Sequence, residues 1–260
     1  MSRDGDRTGA VAVVTGAGSG LGRAFAELWL ERHGPVVGLD LEPDRIAWLD
    51  ERPDAAGVPG DVTDPEANAV MVRTAEERFG RVDAAVLAAG ISAWGRVEEL
   101  GLDVYDRVMD VNVRGVVHGI RAAAPALRRA GGGAVVVLSS TSASAGEPDH
   151  WAYCTSKAAV TNLARSAAMD LAPDGIRVNV VAPGPTHTEL TRPIRETDPD
   201  KYHQLRVNMP MQRWGEQDEV AEAIAFLAGP ASSFVTAAVL PVDGGMTGRT
   251  PQLPALPLTT

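Results

Sequence analysis

The sequence predicts one α/β domain built on a doubly wound parallel sheet of seven strands with helices on both faces. Seven short β-branched or apolar runs alternate with longer segments whose apolar residues recur every three or four positions. Several of the short runs are apolar almost throughout, as strands covered on both faces must be. With 260 residues, 45% of them apolar, the chain can bury one large core, and no linker or repeat divides it.

The strands are expected at 10–16 (AVAVVTG), 35–41 (PVVGLDL), 56–62 (AGVPGDV), 82–90 (VDAAVLAAG), 133–140 (GAVVVLSS), 176–184 (IRVNVVAPG) and 237–245 (AAVLPVDGG). Helical spacing covers 21–33, 65–80, a long stretch at 102–130, 152–172 and 216–229. This order of strand and helix is that of a Rossmann-type domain over residues 10–248. Residues 1–9 read as a polar extension. Residues 185–215, rich in proline and charge, read as a substrate lid with short helices, and 249–260 as a proline-rich tail.

A net charge of −10 and a pI near 5.0 argue against nucleic acid as a partner, because phosphate binding needs basic patches. Residues 1–9 carry no apolar signal core and no run reaches membrane-spanning length, so a soluble, cytoplasmic protein is expected. The single cysteine, Cys154, forms no internal disulfide. The five histidines fall in no ligand spacing, so no metal is expected.

The segment TGAGSGLG, Thr15–Gly22, lies between the first strand and the first helix. Glycines there let the backbone approach a pyrophosphate, and the helix start offers free N–H groups. The spacing places Gly16, Gly20 and Gly22, with Ser19 and Leu21 between them, at that junction. Asp40 ends the second strand, where a carboxylate accepts bonds from adenosine ribose hydroxyls and repels a 2′-phosphate. Neither Ser19 nor Leu41 is basic, so NAD(H) is expected over NADP(H).

Of 24 basic residues only Lys157 and Lys201 are lysines, and only three tyrosines occur. Tyr153 and Lys157, one helical turn apart, share a face. A phenol of ordinary pKa about 10 is a poor base at neutral pH, and a nearby ammonium is expected to favour its phenolate. Lysine suits this better than arginine, being a compact charge that also donates to ribose hydroxyls. Ser140 follows Ser139 at the carboxyl end of the fifth strand, where α/β sheets bind ligands. Asn112, in MDVNVRG, is a poor helix former within an expected helix.

Taken in order, TGxxxGxG (15–22), GDV (60–62), AAG (88–90), VNV (111–113), LSS (138–140), YxxxK (153–157) and APGPTHT (182–188) make the chain resemble the short-chain dehydrogenase/reductase family over about residues 8 to 248. The resemblance implies a Ser140–Tyr153–Lys157 triad assisted by Asn112. Tyr153 would exchange the proton, Ser140 bond the substrate oxygen, Lys157 hold the ribose and lower the Tyr153 pKa, and Asn112 hold a water. It implies that Asp61 and Val62 meet the adenine, that Ala88, Ala89 and Gly90 contact the cofactor through backbone, and that Pro183, Thr186 and Thr188 flank the nicotinamide. It also implies a homo-oligomer, most often a tetramer. One departure is Leu87-Ala88-Ala89-Gly90, which lacks both asparagines of the family's usual NNAG. An NAD(H)-dependent secondary alcohol/ketone oxidoreductase is the expected function. An NADPH-dependent 3-oxoacyl thioester reductase and a non-catalytic nucleotide sensor are the alternatives. The substrate pocket is expected to include Ser92, Trp94, Ser142, Glu147, His150, Trp151 and Pro185, with Trp94 and Trp151 favouring small apolar or cyclic substrates.

Overall fold

In the computed structural model of the chain, residues 9–249 are described; the first eight residues, and the proline-rich tail from Thr250 onward, lie outside them. The seven strands are β1 (Ala12–Thr15), β2 (Val36–Asp40), β3 (Ala55–Pro59), β4 (Ala84–Leu87), β5 (Gly133–Leu138), β6 (Ile176–Pro183) and β7 (Val239–Val242). They pair in parallel in the order β3-β2-β1-β4-β5-β6-β7. All seven expected strands form, each within or one residue beyond its apolar run. The ends are lost where Gly, Pro and polar residues leave the ladder.

The helices are α1 (Gly20–Arg32), α2 (Pro43–Asp50), α3 (Pro65–Phe79), α4 (Leu102–Met109), α5 (Gly115–Arg129), α6 (Trp151–Leu171), α7 (Arg192–Thr197), α8 (Pro199–Asn208) and α9 (Gln217–Ala228). One core layer joins residues of α3, α5 and α6 to one face of the sheet; the other joins α1, α2 and α9 to the opposite face. Val13, Val37, Ala85 and Val135 point into the first layer, and their neighbours Ala12, Val36, Ala84 and Val136 into the second. This two-sided burial is why the strand runs are apolar throughout.

Two features differ from the sequence expectation. Residues 102–130 are not one helix: Asp110–Arg114 forms a π-helical turn between α4 and α5. The widened turn carries Asn112, whose amide is tied inward. Oδ1 accepts from Ile91 N at 2.8 Å, and Nδ2 donates to Ile91 O and to Ser156 Oγ, both at 2.9 Å. The second is α2, which the sequence reading leaves out. It starts on Pro43 and buries only Ile46 and Leu49, too little for a helical period to register. Residues 185–215 carry the expected short helices, α7 and α8. His187, Tyr202 and Trp214 stack on one another, and Trp214 Nε1 donates to Tyr202 O at 3.3 Å, pinning α8 to the body. Among the described residues no helix is long and apolar enough to cross a membrane.

Candidate active site

The sheet reverses its winding between β1 and β4, and the crevice at their carboxyl ends is the first candidate site. Thr15 fixes it: its Oγ1 accepts from Ala88 N at 3.1 Å and from Ala89 N at 3.3 Å. Leu87, at the first of the two missing asparagines, points into the core at 2% exposure. The tie between the strands comes instead from the threonine hydroxyl. Gly16 takes φ +71°, and a Cβ there would lie 2.9 Å from Ala89 N, so only glycine lets β1 turn this close to β4.

A cavity of about 330 Å³ runs from this turn along the sheet edge. Its lining includes Gly16, Ser19, Gly20 and Leu21, then Asp40, Leu41, Asp61 and Val62, and then Ala88, Ala89, Gly90, Tyr153, Lys157 and Thr188. The α1 N-terminus has no acidic residue in its first turn, and the Ser19 side chain makes no capping bond. Its N–H groups and dipole are therefore free for an anion. Asp40 is held in place: Oδ2 accepts from Gly18 N at 3.0 Å and Oδ1 from Glu42 N at 3.1 Å. The residues present fit an adenine dinucleotide.

Two arginines at the Asp40 end were not visible in the motifs. Arg45, from α2, lines the cavity beside Asp40; a Cβ on Gly18 would meet Arg45 Cβ at 2.7 Å and Asp40 Oδ2 at 2.8 Å. Ser19 and Leu41, the positions from which NAD(H) is expected, are indeed not basic, but α2 adds a cation to the lining at this end. Arg107, from α4, pairs with Asp61 at 2.9 Å. Burial works against the Asp61 carboxylate, but bonds from Thr63 and Arg107 prevail and hold it below its usual range.

A second cavity of about 170 Å³ opens from the first at Tyr153. Ser140, Ser142, Ser92, Trp94, Glu147 and His150 line it, as do Pro183, Pro185, Thr186 and Thr188, with Leu190 and, from α8, Lys201. Thr188 and Leu190 border both cavities, whereas Pro183 and Thr186 border only the second. Trp94, His150 and Tyr153 stack almost parallel, at 3.7 and 4.6 Å between ring centroids, and the Lys201 ammonium caps Trp94 at 3.4 Å. Asp149 takes φ +59°, and the turn it makes brings the His150 ring into this stack. Trp151 is a correction. It stacks on Tyr105 at 5.2 Å and does not line the cavity, because two residues from Tyr153 on a helix is roughly 200° around the axis.

Tyr153 and Lys157 share a face of α6, with the ammonium 5.5 Å from the ring centroid. Lys157 Nζ donates to Leu138 O at 2.9 Å. Burial lowers the lysine to about 8 and raises the Tyr153 phenol to about 12, with the Glu147 and Cys154 charges adding to the rise and Ser140 opposing it. Burial thus penalises both charged forms, and the phenol stands above its ordinary value where the sequence reading expects it below. Glu147, His150 and Cys154 also gather, their ligand-type atoms all within 4.8 Å of one another. A search for histidine pairs misses this cluster because it contains one histidine, on the same α6 start as Cys154.

A dinucleotide-shaped cleft that opens onto a buried Tyr–Lys pair and a strand-end serine defines an oxidoreductase of the nicotinamide type. A family model described as enoyl-(acyl carrier protein) reductase matches residues 16–247. The chain is 38% identical over 247 residues to a 2-(R)-hydroxypropyl-CoM dehydrogenase of Xanthobacter autotrophicus, covering 91% of this chain and 98% of that one. It is 40% identical over 242 residues to a cis-4-hydroxycyclohexanecarboxylate dehydrogenase of Sinomonas cyclohexanicum, covering 91% and 96%. Among solved structures, the aldohexose dehydrogenase of Thermoplasma acidophilum superposes with a TM-score of 0.85 at 33% identity, covering 94% and 96%. The chain belongs to the short-chain dehydrogenase/reductase family.

Proposed function

We propose that the protein is an NAD(H)-dependent dehydrogenase that interconverts a small, apolar or cyclic secondary alcohol and its ketone. The observation that carries this is the meeting of Ser140, Tyr153 and Lys157 where the nucleotide cleft opens into the second cavity. A bound nicotinamide supplies hydride transfer to or from the substrate carbon. The chain's own residues do the rest. Tyr153 exchanges the proton on the substrate oxygen, and Ser140 hydrogen-bonds that oxygen. Lys157 reaches the cofactor ribose, and Asn112 holds the loop after β4 against α6. Gly16, Ser19, Gly20 and Leu21 cradle the pyrophosphate; Asp61 and Val62 border the adenine. The flat Trp94–His150–Tyr153 wall suits a ring or short apolar body. Relatives whose names denote dehydrogenases of hydroxylated carbon support the reaction class.

NAD(H) is the coenzyme of this proposal because Asp40 is fixed by two backbone bonds at the ribose end. The Arg45 position favours a second reading, an NADPH-dependent 3-oxoacyl thioester reductase, and a relative from Thermotoga maritima, 32% identical, is named a 3-oxoacyl-[acyl-carrier-protein] reductase. Purified protein incubated with NAD or NADP over a panel of secondary alcohols, followed by reduced-nicotinamide absorbance, separates the two. Oxidation with NAD supports the first reading; reduction of 3-oxoacyl thioesters with NADPH alone replaces it. Absence of any turnover refutes both and leaves a nucleotide-binding protein. The protein is further proposed to act in the cytoplasm as a homotetramer.

A further inference from the structure

Three residues to which the proposed reaction gives no chemical part meet beside the second cavity. Glu147, His150 and Cys154 follow one another across the turn at Asp149 (φ +59°) and into the first turn of α6. His150 N donates to Glu147 O at 3.3 Å and Cys154 N to His150 O at 3.0 Å, so the backbone beneath them is fixed. Their carboxylate, imidazole and thiol atoms all lie within 4.8 Å of one another. In a tetrahedral zinc site, with bonds of ~2.0 to 2.3 Å, neighbouring ligand atoms stand roughly 3.3 to 3.8 Å apart. Small side-chain rotations therefore close the three around one ion.

We propose that Glu147, His150 and Cys154 form a binding site for a divalent cation of the zinc type, with water in the fourth position. The donor set selects the metal: thiolate and imidazole suit zinc or cobalt, whereas magnesium and calcium take oxygen ligands. The charges balance as well, since one carboxylate and one thiolate neutralise a divalent ion. Outer partners already orient the ligands. Glu147 Oε1 accepts from Ser142 Oγ, which leaves Oε2 for the metal. Oε2 faces His150 Nδ1 at 2.9 Å, and His150 Nε2 meets Ser92 Oγ at 2.7 Å. Before a metal binds, the carboxylate only accepts, so a neutral imidazole carries its proton on Nδ1. On binding, the metal takes the place of that proton. Nε2 then holds the imidazole proton and donates to Ser92, and the thiol releases one proton to solvent. Burial raises the Cys154 thiol, the Glu147 backbone amide favours its ionised form, and the metal supplies the remainder. A nearby cation, the Lys201 ammonium, is drawn over the Trp94 ring at 3.4 Å. The way in is open: Glu147 and His150 line the second cavity, and the Glu147 side chain is 37% exposed.

The test uses the full-length, untagged and reduced protein with cobalt(II) alone as the probe. Cobalt should bind with a thiolate-to-metal charge-transfer band in the near ultraviolet and the intense visible bands of a four-coordinate ion. Zinc added afterwards should abolish both. Cys154 is the only cysteine of the chain, so a charge-transfer band has no other source. By calorimetry, Cys154→Ser and Glu147→Gln should each weaken zinc binding by on the order of tenfold or more, the loss that even an outer partner typically causes. A protein that gives no charge-transfer band with cobalt overturns the site, and this result needs no variant to fold. Zinc affinity unchanged in a folded Cys154→Ser protein overturns it equally. Neither coenzyme nor alcohol enters the test, so its failure is distinct from failure of the dehydrogenase reading.

Discussion

The ammonium of Lys157 lies 5.5 Å from the ring centroid of Tyr153, one turn along α6, and is itself anchored on the Leu138 carbonyl at 2.9 Å. That anchor fixes the charge in one place, on the side of the cleft where a ribose would lie. Lys157→Arg keeps the charge, but its planar fork cannot reproduce both the carbonyl bond and the compact approach. The variant should bind NADH at least several-fold more weakly by fluorescence titration, and begin alcohol oxidation at a higher pH.

The same burial makes Lys157 a liability for stability. Its folded value, about 8, lies below the 10.5 of an unperturbed lysine. The folded state therefore resists the charge: the penalty is full below pH 8 and fades as pH rises towards 10.5. That difference corresponds to about 3 kcal/mol. Lys157→Met should therefore raise the melting temperature of the cofactor-free protein near pH 7, even after losing the Leu138 bond, while abolishing turnover. The stabilisation should shrink between pH 8 and 10. Thermal denaturation across that range checks the sign.

At the coenzyme end, Asp40 and Arg45 stand side by side with opposite preferences for a 2′-phosphate. With both present, kcat/KM should favour NAD over NADP by more than tenfold, about 1.4 kcal/mol. Asp40→Ala should admit NADP without any added cation, because Arg45 already lines the cavity. Asp40→Ala combined with Arg45→Ala should lose that gain. Steady-state kinetics with both coenzymes for the three proteins measures it.

Apolar side chains remain uncovered on the helices outside the sheet. Leu102 is 72% exposed and Val104 39% on α4, and Met169 is 60% exposed on α6. These helices also present small residues such as Ala158 to solvent. Burying such a surface against a second copy is favourable. Light scattering at micromolar concentration should give an oligomer, a tetramer by the family resemblance. Glu at Met169 and Val104 together should shift it towards smaller species.

The sheet was legible because its central strands are apolar on both faces, β1 and β4 being buried at every residue. The nucleotide loop and the Tyr153–Lys157 pair were legible because their chemistry fixes residue types at short spacing. What escaped the sequence depends on distant segments meeting. Arg45 lines the same cavity as the glycine loop of β1 because α2 packs beside that loop, and α2 buries just Ile46 and Leu49. The π turn at Asp110–Arg114 arises from bonds between Asn112 and partners 21 and 44 residues away. Ser92, Ser142, Glu147 and His150 were each recognisable as pocket residues, yet their order as one hydrogen-bonded chain is a property of three-dimensional placement. The raised Tyr153 value escaped as well, since spacing shows proximity to Lys157 but not burial.

In the proposed reaction Tyr153 handles the proton while other groups hold the cofactor. Tyr153→Phe removes one oxygen and leaves the ring that stacks on His150 at 4.6 Å. The direct measurement is alcohol oxidation by this variant beside an NADH fluorescence titration of the same sample. Turnover should fall below a few per cent of the unmodified enzyme, a loss on the order of a hundredfold or more, with NADH binding retained. Substantial turnover by Tyr153→Phe with NADH still bound would contradict it.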